Sequence, residues 1–487
     1  MPIGVFAKDS YDRPVEAHRP SAVQQQRFSM LHQLAAKAQA SNAEVVLRWH
    51  ANETLAMTMR KGVLLANQSA RASGVSARVF SKGAFGFAAL PDGPVDAIDR
   101  ALALAAENAE LAPRAKASPL APVAPGCGSF DHRRAGRAKF TAAERIDLFR
   151  ALDAAIATKY PDLVSRDLNL TAFCSEKALA TSGGAKTFSA APQVIFNISL
   201  ALEASDGIVD LYDSLGGFGE IEDHLHDTDA LLARIDALYA DLRQKAEGAF
   251  CEAGPHDVVL DSNVAGILAH EAVGHTCEAD LVLAGSVAGD RLGEKVASEK
   301  ITLGDFSGRG PDGRSSFAIH VDDEGASCED VLLIDKGVLK NFLHNRDTAQ
   351  RLGAAPAGNA RAFAFSDEPI IRMRNTCILP GDDRLDDMIG AVEHGYYFRR
   401  ATNGQADLTG EFMFGVNCGR EIRDGKLGRA LRDTTISGVA FDMLQSVTHV
   451  GDTLSWSPSG WCGKKQPITV GMGGPAIKCR INVGGRS

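Results

Sequence analysis

The chain has no apolar run approaching the ~18 residues that a membrane-spanning helix needs, so no bilayer segment is expected. Its first residues, "MPIGVFAKDSYDRPVEAHRP", lack a basic stretch followed by an apolar one, so no signal peptide is expected either. No C-x-x-C pair occurs among the nine cysteines, at 127, 174, 251, 277, 328, 377, 418, 462 and 479. Their scatter and odd number fit reduced thiols rather than a disulfide framework, and together these absences point to the cytoplasm. Basic clusters are missing too. The nearest, "DHRRAGRAK" from Asp131, is short, and the formal net charge is -9. That excludes a general nucleic-acid binder, because phosphate neutralisation needs grouped Lys and Arg. What remains is a globular composition, 45% hydrophobic and 23% charged, in 487 residues, enough for two or three domains with cores of their own.

Residues 23 to 41 carry an apolar stripe at Phe28, Leu31 and Leu34 and read as a helix. Strand-like alternation follows in "AEVVLRWH", "ETLAMTMRKG" and "GVSARVFSKGAFGFAAL", and then a second helix, "VDAIDRALALAAENAEL". The layout returns further on: a helix from Thr141 to Tyr160, strand-like segments over 163 to 217, and an amphipathic helix over 228 to 246. Between the two copies, 112 to 138 is rich in Ala, Pro and Gly and reads as a linker or long loop. From about 255 the chain turns to short β-like segments: "SSFAIHVDDEG", "VLLIDKGVLKNFL", "EFMFGVNCGREIRDGKLG" and "PITVGMGGPAIKCRINVGG". Asp335-Lys336-Gly337 and Asp424-Gly425 are turn signals between strands. The expected fold is therefore α+β, with an N-terminal α/β half of mixed sheets and helices and a β-rich C-terminal half. The domains expected are 1–250, with a sub-boundary in 112–138, and 251–487.

At the junction stands "HEAVGHTCEAD", residues 270 to 280. Two histidines four apart with an intervening Glu would be the H-E-x-x-H arrangement of zinc peptidases. Here the second histidine comes one residue later. Ser262 is the expected N-cap of this helix, and Glu271 and His275 are i,i+4 neighbours on it. His270 and His275 fall about 140° apart on an ideal helix, too far to share an ion unaided. A wide i→i+5 turn would swing them together, with Gly274 making the unwinding cheap; alternatively the helix ends there and His275 enters from its last turn. The plainer reading, that both histidines merely pack, has even standing on spacing alone.

Further blocks shift the balance. "ARAFAFSDEPIIRMRNTCILPGD", "VDDEGASCEDVLLIDKGVLKNFLHNRDTA" and "WCGKKQPITVGMGGPAIK" recur in order with the motif, and with them the chain resembles the TldD/PmbA family of zinc metallopeptidases, whose signature is H-E-x-x-x-H. The resemblance implies Zn2+ held by His270, His275 and Cys462, an open position for water, and Glu271 as general base. It also implies unfolded or short peptide substrates, and assembly as a homodimer or with a motif-less paralogue. Because this chain keeps the motif, it resembles the catalytic, TldD-like kind. Cys277, two residues past His275, is expected to pack rather than compete for metal.

Substrate contacts are expected at Arg372, as a carboxylate or backbone clamp, and at Val470, Gly471 and Gly473, where glycine lets another backbone, in a peptidase that of the substrate, come close. For Arg372 and Arg374 a structural ion pair is the competing reading; for His320 and His344 a structural role is favoured over transition-state donation. Two other functions stay open: a non-catalytic binding or regulatory protein stabilised by zinc, with Cys277 as a fourth ligand, and a zinc hydrolase of non-peptide amides.

Overall fold

The computed structural model describes residues 22–92, 96–112, 119–133, 139–314, 316–458 and 460–485. The start of the expected 1–250 domain and the last two residues of 251–487 lie outside them, as do 113–118 and 134–138 of the sub-boundary stretch.

The first half is one seven-stranded sheet covered by helices. The segments "AEVVLRWH" and "ETLAMTMRKG" fuse into a single strand, Glu44–Arg60, that hairpins into Val63–Ser81 through Lys61-Gly62. Ala84–Pro91 continues on the far side of Val63–Ser81. The second copy, Leu163–Thr181, Lys186–Ala204 and Gly207–Phe218, is likewise antiparallel. The two copies join where Glu44–Arg60 pairs with Leu163–Thr181, so the repeated layout forms one continuous sheet. Part of the expected linker is itself a strand: Cys127–Asp131 runs parallel to the start of Lys186–Ala204.

Alternation decides what each sheet face meets. Val45, Leu47 and Trp49 point with Ala178 and Ala180 into a core beneath helices Ala22–Gln39 and Ala97–Leu111. Further along the same strands, Met57, Met59, Leu168 and Leu170 meet helices Ala142–Lys159 and Thr228–Ala246. The other face is polar, with Arg48, His50, Asn52 and Arg78, and yet it is buried. It packs on the C-terminal half, where Asp323 pairs with Arg48 (3.4 Å) and Lys177 (2.6 Å) and Glu324 pairs with Arg78 (2.6 Å).

The second half holds two more seven-stranded sheets. In one, Gly254–Leu260, Ile477–Val483, Thr434–Val439, Glu411–Arg423 and His394–Ala406 pair in turn, and the last returns to the first, closing a ring. In the other, Leu303–Phe306, Asn375–Ile378 and Ile468–Gly474 form the centre. Ile468–Gly474 and Ile477–Val483, adjacent in sequence, thus lie in different sheets. Both expected hairpin turns are present, with left-handed Lys336-Gly337 and Asp424-Gly425. Of "SSFAIHVDDEG", the described residues 316–325 form no strand. Among them only Val321 makes a bridge, and the Asp322 carboxylate holds the loop by accepting from the N–H groups of Glu324, Ala326 and Ala360.

Candidate metal centre

The motif helix runs Ser262–Leu268 and packs between the two C-terminal sheets. Its cap is Asp261 rather than the expected Ser262: the Asp261 carboxylate accepts from the Val264 N–H at 2.9 Å. Beyond Leu268 the helix widens into a π turn over Ala269–Gly274, in which the His275 N–H donates to the carbonyl of His270, five residues back. Of the two arrangements the spacing left open, the first is therefore the one formed. Each residue of the wide turn rotates by less than the ~100° of an α-helix, so the imidazoles converge, ring centroids 5.1 Å apart. Gly274 keeps helical angles (φ -57°, ψ -49°), so its backbone freedom is not what the turn uses. It lacks a Cβ because one would stand 1.9 Å from the Met373 sulfur.

Cys462 arrives from the short strand Gly460–Cys462, paired with Ile468–Gly474. One donor atom each from His270, His275 and Cys462 lies within 4.8 Å of the other two, and Cys462 Sγ is 3.1 Å from His275 Nε2. His275 Nδ1 bonds Glu278 Oε2 at 2.7 Å, leaving Nε2 toward the sulfur. Lys464 pairs with Glu278 (3.2 Å) and Asp280 (2.7 Å). Sequence reasoning missed Glu278 and Lys464; a carboxylate three residues beyond His275 was the available signal.

The electrostatics follow from this packing. Burial alone would raise the Cys462 thiol, but the imidazoles of His270 and His275 outweigh it and bring it down to about 4. Burial would lower His275, but Glu278 and the Cys462 sulfur raise it to about 10. Burial would likewise raise Glu278, whose carboxyl is held below its usual range by His275, Lys464 and Arg372. These neighbours favour negative charge on the sulfur and positive charge on His275, and a bound dication would take the place of the His275 proton. The donors fit a metal on another ground: both ring nitrogens of His270 are buried with no hydrogen-bond partner, a costly state unless something else is bound there. Two imidazoles and a thiolate are a zinc-type set. Glu271 lies alongside, its carboxylate 3.7 Å from His275 Nε2 and its side chain 21% exposed. Cys277 is outside the group, fully buried in the core, its thiol pushed up to about 12 by that burial.

The expected substrate contacts have other work. Arg372 is fully buried and donates to the carbonyls of Cys462 (2.8 Å), Lys464 (3.0 Å) and Gln466 (2.7 Å), so it clamps the loop that carries the sulfur and is not open to a peptide. Arg374 forms the structural pair, with Asp305 at 2.8 Å. Val470, Gly471 and Gly473 are buried in a strand paired on both sides: Gly471 and Gly473 face Asn375 and Cys377, and Val470 faces Gly460. No edge is free there for an added strand. The backbone that approaches is the motif helix, where a Cβ on Gly266 would lie 3.1 Å from Gly473. His344 is buried against Thr348, and His320 sits 3.2 Å from His132; neither joins the donor group.

Residues 253–485 match the family model for the PmbA/TldA metallopeptidase C-terminal domain, and 45–109 the model for domain 1. A metalloprotease of Methanothermobacter thermautotrophicus is 33% identical over 442 residues, covering 89% of this chain and 93% of that one. The chain belongs to the PmbA/TldD metallopeptidase family. Another relative in this family, the zinc metalloprotease TldD homolog of Saccharolobus solfataricus, is 33% identical over 257 residues, 52% of this chain and 57% of its own length. In fold alone, TldE from Thermococcus kodakarensis is similar at a TM-score of 0.72 and 16% identity, over 94% of this chain and all of that one. A putative modulator of DNA gyrase from Thermotoga maritima matches at 0.72 and 18%, over 94% of this chain and 99% of that one. No helix of the described residues is long and apolar enough to cross a membrane.

Proposed function

We propose that this PmbA/TldD family member is a zinc-dependent peptidase acting on unfolded or short peptides, with the metal held by His270, His275 and Cys462 and with Glu271 as general base. The convergence of those three donor atoms within 4.8 Å carries the reading. When bound, zinc supplies Lewis acidity that polarises a carbonyl and acidifies a water, and three protein ligands leave it a fourth position. Glu271, partly exposed beside His275, takes the proton from the attacking water and returns it to the leaving amine nitrogen. Glu278 fixes which nitrogen of His275 faces the site. Cys277 stands outside the donor group, which favours an open, catalytic set over a closed structural one. The catalytic unit on this reading is 251–487, the first 250 residues forming a separate domain, and the chain works in the cytoplasm as a homodimer or with a motif-less paralogue.

The test is Glu271→Gln, which keeps size and removes basicity. Peptide hydrolysis should fall by about 10²–10⁴-fold while zinc stays near one per chain. Loss of the zinc would show that Glu271 is itself a ligand and overturn its role.

A further inference from the structure

Between the polar face of the first sheet and the C-terminal half lies a cavity of about 90 Å³. The rings of Phe130, Phe173, Phe317 and Phe363 give it apolar walls. Two cations, Lys177 and Arg361, reach its lining. The Lys177 ammonium donates to Asp323 Oδ2 and the Ala362 carbonyl, leaving one of its three donors over. Arg361 donates only to the carbonyls of Met373 and Thr469, and no carboxylate among the described residues lies within ion-pair distance of it. The nearby carboxylates are already engaged: Asp323 by Lys177, Arg48 and the Ala362 N–H, Asp322 by three backbone N–H groups. Asp323 and Asp305 act on it only from beyond contact and the Phe317 ring lies 5.0 Å away, so this buried guanidinium lacks a contacting counter-charge, a costly state unless a ligand supplies one.

A second observation is independent of charge. Thr187 and Gln193 line the same cavity, each 5% exposed, and Thr187 Oγ1 and Gln193 Oε1 have no hydrogen-bond partner. Buried side-chain polar atoms are seldom left so. The cavity is also separate from the metal-donor pocket. Thr469, in its wall, pairs with Trp461, whose ring packs on Phe173 and Phe363. None of His270, His275 and Cys462 lines it, although Ile468 in its wall pairs with and packs against Cys462.

We propose that this cavity binds a small free aliphatic carboxylate of three or four carbons, its anion on Arg361 and Lys177, its chain among the phenyl rings. An engineered apolar cavity of ~150 Å³ accepts benzene, so this smaller space calls for a smaller guest. Thr187 and Gln193 complete the polar end, the Gln193 amide presenting its NH₂ group after a flip. Nothing here depends on the metal or on peptide hydrolysis.

Calorimetric titration of the full chain with butyrate tests the site, with butyramide as neutral isostere. Butyrate should bind saturably and butyramide at least about tenfold more weakly. Arg361→Gln should abolish binding. Because Arg361 also ties Met373 and Thr469, that variant could fail to fold, so Ala318→Leu, which fills the lined space, is the second variant: it should stay folded and lose butyrate. Failure of butyrate to saturate, equal binding of the two probes, or unchanged binding in Ala318→Leu overturns the proposal. Displacement of butyrate by triglycine would assign the carboxylate to a peptide terminus and overturn the free-acid assignment.

Discussion

At the residue scale the question is which cysteine completes the metal site. Cys462 and Cys277 are both buried, but their surroundings push them in opposite directions: one thiol lies between two imidazoles, the other in hydrocarbon. A borderline-soft ion binds thiolate strongly and a hydroxyl poorly. Cys462→Ser should therefore lose both zinc and peptide hydrolysis, while Cys277→Ser should keep most of each. Metal analysis per chain beside an activity assay separates them, and a dead Cys277→Ser with an intact Cys462→Ser would refute the donor set. Arg372 shows how residue type alone misleads. An arginine in this segment invites a substrate role, yet Arg372, between the strands Ile370–Ile371 and Asn375–Ile378, donates to the carbonyls of the loop bearing Cys462.

At the element scale the π turn brings the two histidines together, and its fit depends on Gly274. A Cβ there would meet the sulfur of Met373, which is buried and has little room to move. Gly274→Ala should cost about 1–3 kcal/mol, the usual range for overpacking a core, and should weaken zinc retention because relief of the clash shifts His275. Denaturant melts and a competition with a zinc chelator measure both effects. If the variant matches the parent in both, the close contact is not what shapes the turn. A similar close approach occurs at Gly266, where a Cβ would stand 3.1 Å from the backbone of Gly473.

At the scale of the whole molecule, the two halves are joined by charge as well as by apolar packing. Burial would raise the Asp323 carboxyl, but Lys177 and Arg48 outweigh it and hold it well below the usual carboxylate range. A carboxyl depressed in the folded state contributes stability that is complete above its unfolded value of about 3.9 and fades as pH falls below it. Asp323→Asn should cost about 3–5 kcal/mol near neutrality, since it leaves the buried Arg48 and the partly buried Lys177 short of a partner. The difference between parent and variant should hold down to about pH 4 and narrow as pH falls from there towards about 2, in urea unfolding curves. A difference that stays constant over that interval would mean the pair does not carry the junction.

Local pattern was enough to place Thr228–Ala246, the two left-handed hairpin turns and the motif helix, because helical and strand periodicities and Gly-containing turns depend on near neighbours. The candidate donor set, with Cys462 as its third member, came instead from the resemblance to the TldD/PmbA family. Long-range contact decided the rest. Whether Ile468–Gly474 is an edge or a centre depends on partners far along the chain, and it proved central. The polar face of the first sheet is buried, because the charges that match it lie on a loop near residue 323, a partnership that local pattern does not show. Spacing could not choose between a wide turn and a helix end, since that choice is made by Met373 packing on Gly274 and by Cys462 arriving from a remote strand.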